Sequence, residues 1–373
     1  MPTSPLDDLL RRRGAHMTDF AGWQLPLRFG SELAEHAAVR SGAGLFDLSH
    51  MAQLRVLGPG GGTGLDAALT GSHAAMSLGR ASYSLILAPD GGVLDDLIVY
   101  RLAEAEYLVI SNAANRAIVA AELADRLAPF EAEVIDATEA RTLIAVQGPR
   151  AAAILQDAGL GEVATSLRYY TVAPARLGGV DVLVARTGYT GEDGFELSAP
   201  AEAAERVWMA MEEAGRPHGI VPAGLAARDT LRLEAAMPLY GHELTRETTP
   251  WDAGLGRFVD LEKPAFVGRD ALVSDDGTRL PRRRRLIGVA GSGRRAARAG
   301  YAVLDPAGAE TIGEVTSGAL SPTLGHPIAL AYIDATAPSE TGTPLAVDVR
   351  GTRQPFTVVA RPFYRRTTHT KES

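Results

Sequence analysis

The chain has no cysteine among its 373 residues. Disulfides, thiolate nucleophiles and thiolate-bound metals are excluded by that zero, which also suits a reducing compartment. Aromatic residues make up only 6%, too few for an extended base-stacking platform. The formal net charge of −8 opposes attraction to phosphate backbones, so no nucleic-acid partner is expected. No stretch approaches the roughly 20 apolar residues needed to span a bilayer, and residues 1–13 lack the apolar centre of a signal peptide. A soluble cytoplasmic protein without a membrane partner is expected. The 8 histidines are scattered, with no HExxH spacing, so no metal site is expected. No GxSxG elbow is present to support serine-hydrolase chemistry. Residues 58–64 are rich in glycine but lack both the GxGxxG spacing and a Gly-Lys-Ser/Thr ending, and they read as a loop.

Turn formers are plentiful, with 40 Gly and 22 Pro, as befits many strands joined by short connections. Helices are predicted at residues 6–13, 31–41 (capped by Ser31), 115–127, 149–157 and 201–214. Strands are predicted at 51–57, 82–87, 93–100, 106–111, 142–147, 171–177, 180–185 and 195–198. Strands alternating with helices, partly as hairpins, imply α+β modules with antiparallel sheets. Beyond about residue 275 the pattern changes to short strands at 286–289, 301–304, 328–332, 344–349 and 354–360 with little helix. That part reads as a compact β-barrel or sandwich. The expected division is 1–275, two interleaved α+β subdomains, and 276–373, a C-terminal barrel. No internal sequence repeat is visible.

Three segments combine turn glycines with polar side chains suited to a site. In residues 91–100, Asp95 and Asp96 precede an apolar strand. Alternation sends one carboxylate inward and the other away, unless both are simply solvated at the strand start. In residues 186–196, three glycines and three acids surround Tyr189, and Glu196 enters a strand between Phe195 and Leu197. A carboxylate there must be solvated, paired or matched to a ligand; an acidic surface hairpin is the plainer alternative. In residues 224–234, Arg228 sits on a helical pattern. It serves either an intrahelical ion pair or a ligand.

Two further features are weighed. His50, between Ser49 and Met51, reads as a hydrogen-bonded structural histidine rather than a base. Arg282 to Arg285, with Arg294, Arg295 and Arg298, form a concentrated basic patch. It reads as a solvated strand edge that discourages aggregation, or as a surface attracting an acidic partner or a polyglutamate tail.

In order along the chain, the sequence runs Phe20-Ala21-Gly22-Trp23, Phe46-Asp47-Leu48-Ser49-His50-Met51, Gly91-Gly92-Val93-Leu94-Asp95-Asp96, Gln147-Gly148-Pro149, Gly188 to Glu196, Gly224 to Glu234 and Ser321-Pro322-Thr323-Leu324-Gly325. These motifs resemble the T-protein (aminomethyltransferase) family of the glycine cleavage system, over nearly the full length. The departures are small: Ala236 stands where the family usually has glycine, and Leu25 replaces a common methionine.

The resemblance implies a three-domain cloverleaf around a central folate channel. It implies a transferase that passes the one-carbon unit of an aminomethyl-lipoyl H-protein to tetrahydrofolate, with 5,10-methylene-tetrahydrofolate, ammonia and dihydrolipoyl-protein as products. Asp96 matches the family's catalytic aspartate. Glu196 matches the carboxylate that grips the pterin, whose ring edge presents adjacent N–H donors. Arg228 matches a folate-contacting arginine. Tyr83, Asn112, Tyr170, Tyr189 and Tyr240 fall in segments lining the folate site. Relatives of the same fold instead demethylate dimethylglycine, sarcosine, sulfonium or aryl methyl ether donors onto folate. The self-contained oxidase form is disfavoured here because no dinucleotide fingerprint is present.

Overall fold

The computed structural model describes residues 2–307 and 310–366. The strands form a two-stranded hairpin (His16–Phe20 with Trp23–Arg28), two larger antiparallel-rich sheets and one closed barrel. The first sheet has five strands in the spatial order Ala81–Leu87, Val93–Ala103, Glu106–Ser111, Ala52–Leu57 and Glu133–Asp136. The second has six, in the order Val172–Leu177, Val180–Ala185, Gly194–Pro200, Arg141–Gln147, Ala43–Asp47 and Ile220–Pro222. Both sheets are built in the same chain order: a strand, a helical segment, a three-strand meander, a helix and a returning strand. The repeat invisible in the sequence is therefore present in the topology. It is interrupted only in the second sheet, where Ala43–Asp47 from the N-terminal part of the chain is inserted between two of the six strands. Leu9 and Leu10 of the helix Asp7–Arg12, with Leu6 at its N-cap, also join the core of this second sheet, so the two modules interleave.

Strand alternation assigns each sheet two different neighbours. Leu97, Val99, Tyr107 and Val109 pack on one face beside Val119, Leu123 and Leu127, which share one stripe of the helix Arg116–Leu127 at four-residue spacing. Tyr100, Leu108 and Ile110, on the other face, pack instead against Leu143, Ala145, Val172 and Ala185 of the second sheet. The sheets thus meet face to face, and Asp96, two and four residues from Ile98 and Tyr100, opens onto that interface.

The glycine-rich residues 58–64 are not the loop their composition suggests: Gly61–Ala68 is a helix. Glycine inside a helix costs about 1 kcal/mol against alanine, but close packing requires it here. A Cβ on Gly62 would lie 2.6 Å from the Tyr107 hydroxyl and 2.9 Å from the Ala74 Cα, and one on Gly64 would lie 2.8 Å from Leu127 Cγ.

Six strands close the C-terminal barrel: Arg284–Gly291, Ala302–Leu304, Thr311–Leu320, Pro327–Asp334, Pro344–Val349 and Thr352–Val359. Thr311–Leu320 escapes sequence reading because Gly313, Glu314, Thr316, Ser317 and Gly318 dilute its apolar pattern. Arg294, Arg295 and Arg298 of the basic patch are exposed, whereas Arg284 is half-buried with its guanidinium 4.5 Å from the Tyr332 ring centre.

A buried polar junction joins the barrel to the sheets at the end of the helix Leu225–Glu234. Glu234 is fully buried and meets Arg40 at 2.8 Å and His36 at 3.2 Å. It also accepts hydrogen bonds from the hydroxyls of Ser321 and Thr323 and from the Thr323 amide. Burial works to raise its pKa, but the hydrogen bonds from His36, Ser321 and Arg40 outweigh it and hold the carboxyl down at about 2. A depressed carboxylate contributes stability that is complete above its unfolded value near 4.5 and is lost as the pH falls through that value toward 2. That contribution is on the order of 3 kcal/mol. Glu234→Gln is expected to flatten the acid limb of urea-unfolding stability; parallel wild-type and variant pH curves would remove Glu234 from this role.

Candidate functional site

Asp96 is placed by the strand Val93–Ala103. Its Oδ2 accepts from the Tyr83 hydroxyl at 3.0 Å and its Oδ1 from the Asn112 side-chain amide at 2.9 Å. Tyr83 faces Ile98 across the ladder and Leu85 faces Asp96, so Tyr83 and Asp96 are diagonal neighbours on one face. Burial pushes the Asp96 carboxyl upward, and the Tyr83 and Asn112 hydrogen bonds oppose that only in part.

Glu196 lies on Gly194–Pro200 opposite Ala145 on one side and Ala185 on the other. Those two small neighbours leave its carboxylate room at the sheet–sheet interface. Its Oε2 accepts from the Thr187 hydroxyl at 2.5 Å, and that hydroxyl lies 3.3 Å from the Tyr100 hydroxyl. Burial again raises the carboxyl, while Thr187, the charge of Arg228 and Tyr100 oppose it. The acidic-hairpin reading of this segment is not what the structure shows at Glu196, whereas Asp193 does form an ion pair, with Arg186.

The helix Leu225–Glu234 resolves the alternatives for its arginines. Arg232 takes the ion pairs, to Asp229 at 2.8 Å and to Glu243 at 2.9 Å. Arg228 forms no ion pair among the described residues; its guanidinium lies over the Tyr189 ring at 4.8 Å. Burial lowers its pKa, while Tyr189 and Glu196 favour the charged form.

The eight residues singled out from the sequence come together. Asp96 acts electrostatically on Tyr83, Tyr170, Tyr189 and Tyr240, and Glu196 acts on Tyr170 and Arg228. The Tyr189 hydroxyl donates to the Pro238 carbonyl and the Tyr240 hydroxyl to that of Val93. Tyr170 is held at φ 61°, a backbone region unfavourable for an aromatic residue and often found at functional sites. Ala236 also has a positive φ, 54°, which explains why glycine suits that position.

Sequence reasoning weighed Asp95 and left it out of the site in favour of Asp96, and it did not single out Asn115, Tyr100, Thr187 or Phe258. Tyr100 was accessible to it, lying four residues from Asp96 on the same strand face. Phe258, whose ring centre is 4.6 Å from that of Tyr83, comes from a segment with little regular structure and left no periodic signal. The expectation for His50 also needs correction. His50 is buried with its Nδ1 unpartnered among the described residues, packed edge-on to Phe20. Burial, then the charge of Arg228, pushes it down to about 3, so it is a neutral buried histidine, structural as expected, but without the expected hydrogen bond at Nδ1 among the described residues.

Two acids and a guanidinium without ion-pair partners among the described residues thus lie near four tyrosines where the two sheets meet. Comparison with known proteins gives this architecture its family. The model of the GCVT N-terminal domain matches residues 6–263, and that of the glycine cleavage T-protein C-terminal barrel domain matches residues 284–365. The chain is 55% identical over 370 residues to an aminomethyltransferase of Streptomyces avermitilis, covering 97% of each. It is 53% identical over 364 residues to one of Saccharopolyspora erythraea, covering 97% of this chain and 98% of that protein. The crystal structure of the glycine cleavage system aminomethyltransferase T of Bartonella henselae superposes with a TM-score of 0.89 at 37% identity, covering 97% of this chain and 98% of that one.

The chain belongs to the glycine cleavage T-protein family. Its activity is that of an aminomethyltransferase of the glycine cleavage system. Among the described residues no helix is long and apolar enough to cross a membrane.

Proposed function

We propose that the cleft between the two sheets binds tetrahydrofolate and receives the aminomethyl-lipoyl arm of H-protein, with Asp96 as the catalytic residue. The observation that carries this reading is the gathering of two buried carboxylates around one guanidinium that has no ion pair among the described residues: Glu196 interacts with Arg228 directly, and Asp96 and Arg228 both act on Tyr189. The residues fit a reduced pterin. Glu196 accepts from its adjacent N–H donors, Tyr83, Tyr170, Tyr189 and Tyr240 wall its ring, and Arg228 donates to its acceptor atoms. Residues 1–275 then form the folate-binding region and 276–373 the barrel domain; residues 367–373 lie outside those the structure describes.

In the reaction the C–S and C–N bonds of the arm break and two bonds form between the carbon and folate nitrogens. The two protons lost by those nitrogens end on ammonia and on the lipoyl thiol. Positive charge develops on the carbon as it leaves its first partner, and a carboxylate held at Asp96 in a water-poor cleft stabilises that charge. Tyr83 and Asn112 fix the direction in which the carboxylate points.

The test is turnover with purified H-protein bearing the aminomethyl-lipoyl group, following methylene-tetrahydrofolate and ammonia with and without tetrahydrofolate. Formation of both products only with folate supports the reading. Tight folate binding without turnover on this donor would overturn it in favour of a demethylase using another methyl source.

A further inference from the structure

Behind Asp96 lies a second acid that the reaction as described does not use. Asp95 is fully buried and accepts from the Asn112 backbone amide at 2.9 Å, the Asn112 side-chain amide at 2.8 Å and the Asn115 side-chain amide at 2.7 Å. The Asn112 side-chain amide also donates to Asp96 Oδ1 at 2.9 Å. An amide nitrogen has two protons, and its two shortest contacts here go to different carboxylates, with the Asp96 backbone carbonyl farther off at 3.3 Å. Alternation along the strand separates the two acids, and Asn112 reconnects them just past the end of the neighbouring strand Glu106–Ser111.

We propose that Asp95 is a positioning residue for aminomethyl transfer: through the Asn112 amide it fixes the Asp96 carboxylate and sets the pH at which that carboxylate ionises. The inference rests on the reading of Asp96 as the catalytic residue.

Three considerations carry it. Both oxygens of Asp95 face N–H donors, which favours the ionised form, since a proton on either oxygen would displace a donor. Neither carboxylate has an ion-pair partner among the described residues, so no cation screens one from the other. Two acids sharing one site resist ionising together. Burial pushes both carboxyls up, and for Asp95 the charge of Asp96 adds to the push; that repulsion is mutual by Coulomb's law.

The groups facing the pair from the surrounding elements are the phenols of Tyr83, Tyr170, Tyr189 and Tyr240, with Arg246 beside Tyr240 and Arg228 beside Tyr189. Those phenols are all raised above their ordinary value by burial, and arginines stay charged. The carboxyls are therefore the protein groups in this cluster that titrate on the acid side.

The test compares kcat/KM against pH for the wild type, Asp95→Asn and Asn112→Ala, with folate Kd and Tm measured alongside. Removing the Asp95 charge is expected to move the acid limb down by about one unit. Turnover should fall by up to about 10²-fold as Asn112 loses its anchor, the scale of a misplaced catalytic group. Asn112→Ala removes a donor that favours ionised Asp96 and is expected to move the same limb up. Folate Kd should stay close to wild type in Asp95→Asn.

Limbs displaced in these opposite directions support the inference. A limb that stays in place in both variants, or moves the same way in both, overturns it, because a purely structural Asp95 would lower only Tm. If Asp95→Asn does not fold, Asn115→Ala takes its place: it removes a donor to Asp95 and none to Asp96, so the limb should again move down, and an unmoved limb overturns the inference. Full turnover in Asp96→Asn would instead remove the catalytic reading and this inference with it.

Discussion

Asp96→Asn is expected to lower turnover by about 10²–10³-fold, the usual cost of removing one preorganised electrostatic group from a buried site, while folate binding stays near wild type. The substitution keeps size and one acceptor oxygen, so Tyr83 or Asn112 retains a partner. It removes the negative charge that stabilises the developing cation. The interaction is stronger in the transition state than in the bound substrates, and its loss therefore falls on kcat rather than on affinity. Turnover with H-protein and equilibrium titration with tetrahydrofolate, made on the same preparation, separate the two. An equal loss in both would make Asp96 a folate ligand and end its catalytic assignment.

Glu196→Ala is expected to act on the other quantity. A buried carboxylate accepting hydrogen bonds contributes about 1.5–3 kcal/mol, which corresponds to a folate Kd raised roughly 10- to 100-fold. The position is flanked by Ala145 and Ala185, so truncation leaves space without forcing a rearrangement of large neighbours. Thr187 loses its acceptor, and its exposure to water in the enlarged cleft offsets part of that cost. Unchanged folate affinity in this variant would take Glu196 out of the pterin site. Turnover at saturating folate should fall much less than in Asp96→Asn, which makes the two variants a matched pair.

The stability of the site depends on groups remote from the chemistry. Arg232 and Glu243 are both buried, and they tie the helix carrying Arg228 to the segment carrying Tyr240. Ser317 and Thr316 of the barrel bond to the same two side chains. Glu234 closes a second junction with His36 and Arg40. Breaking a buried pair by removing one partner costs more than the pair contributes as a whole. The barrel thus serves the site by holding the helix Leu225–Glu234 against the sheets.

What the sequence determined by itself was local. Strands such as Glu106–Ser111 are legible as short, continuous apolar runs that end up buried, and helices such as Arg116–Leu127 because their apolar spacing matches the buried stripe. The candidate site residues were legible through motif resemblance, since each lies in a short run whose residue order is distinctive. Three-dimensional packing decided the rest. The helix Gly61–Ala68 carries glycines because Tyr107, Ala74 and Leu127 leave no room for side chains, a constraint absent from local propensity. Ala43–Asp47 enters the second sheet between strands far away in the chain, so its neighbours cannot be inferred from adjacency. Arg228 and Arg232 look alike in the sequence, and only the position of Glu243 shows which is neutralised and which is left facing the cleft. The link between Asp95 and Asp96 through Asn112 is likewise invisible along the strand, because alternation separates neighbouring side chains and only a residue from another element can join them.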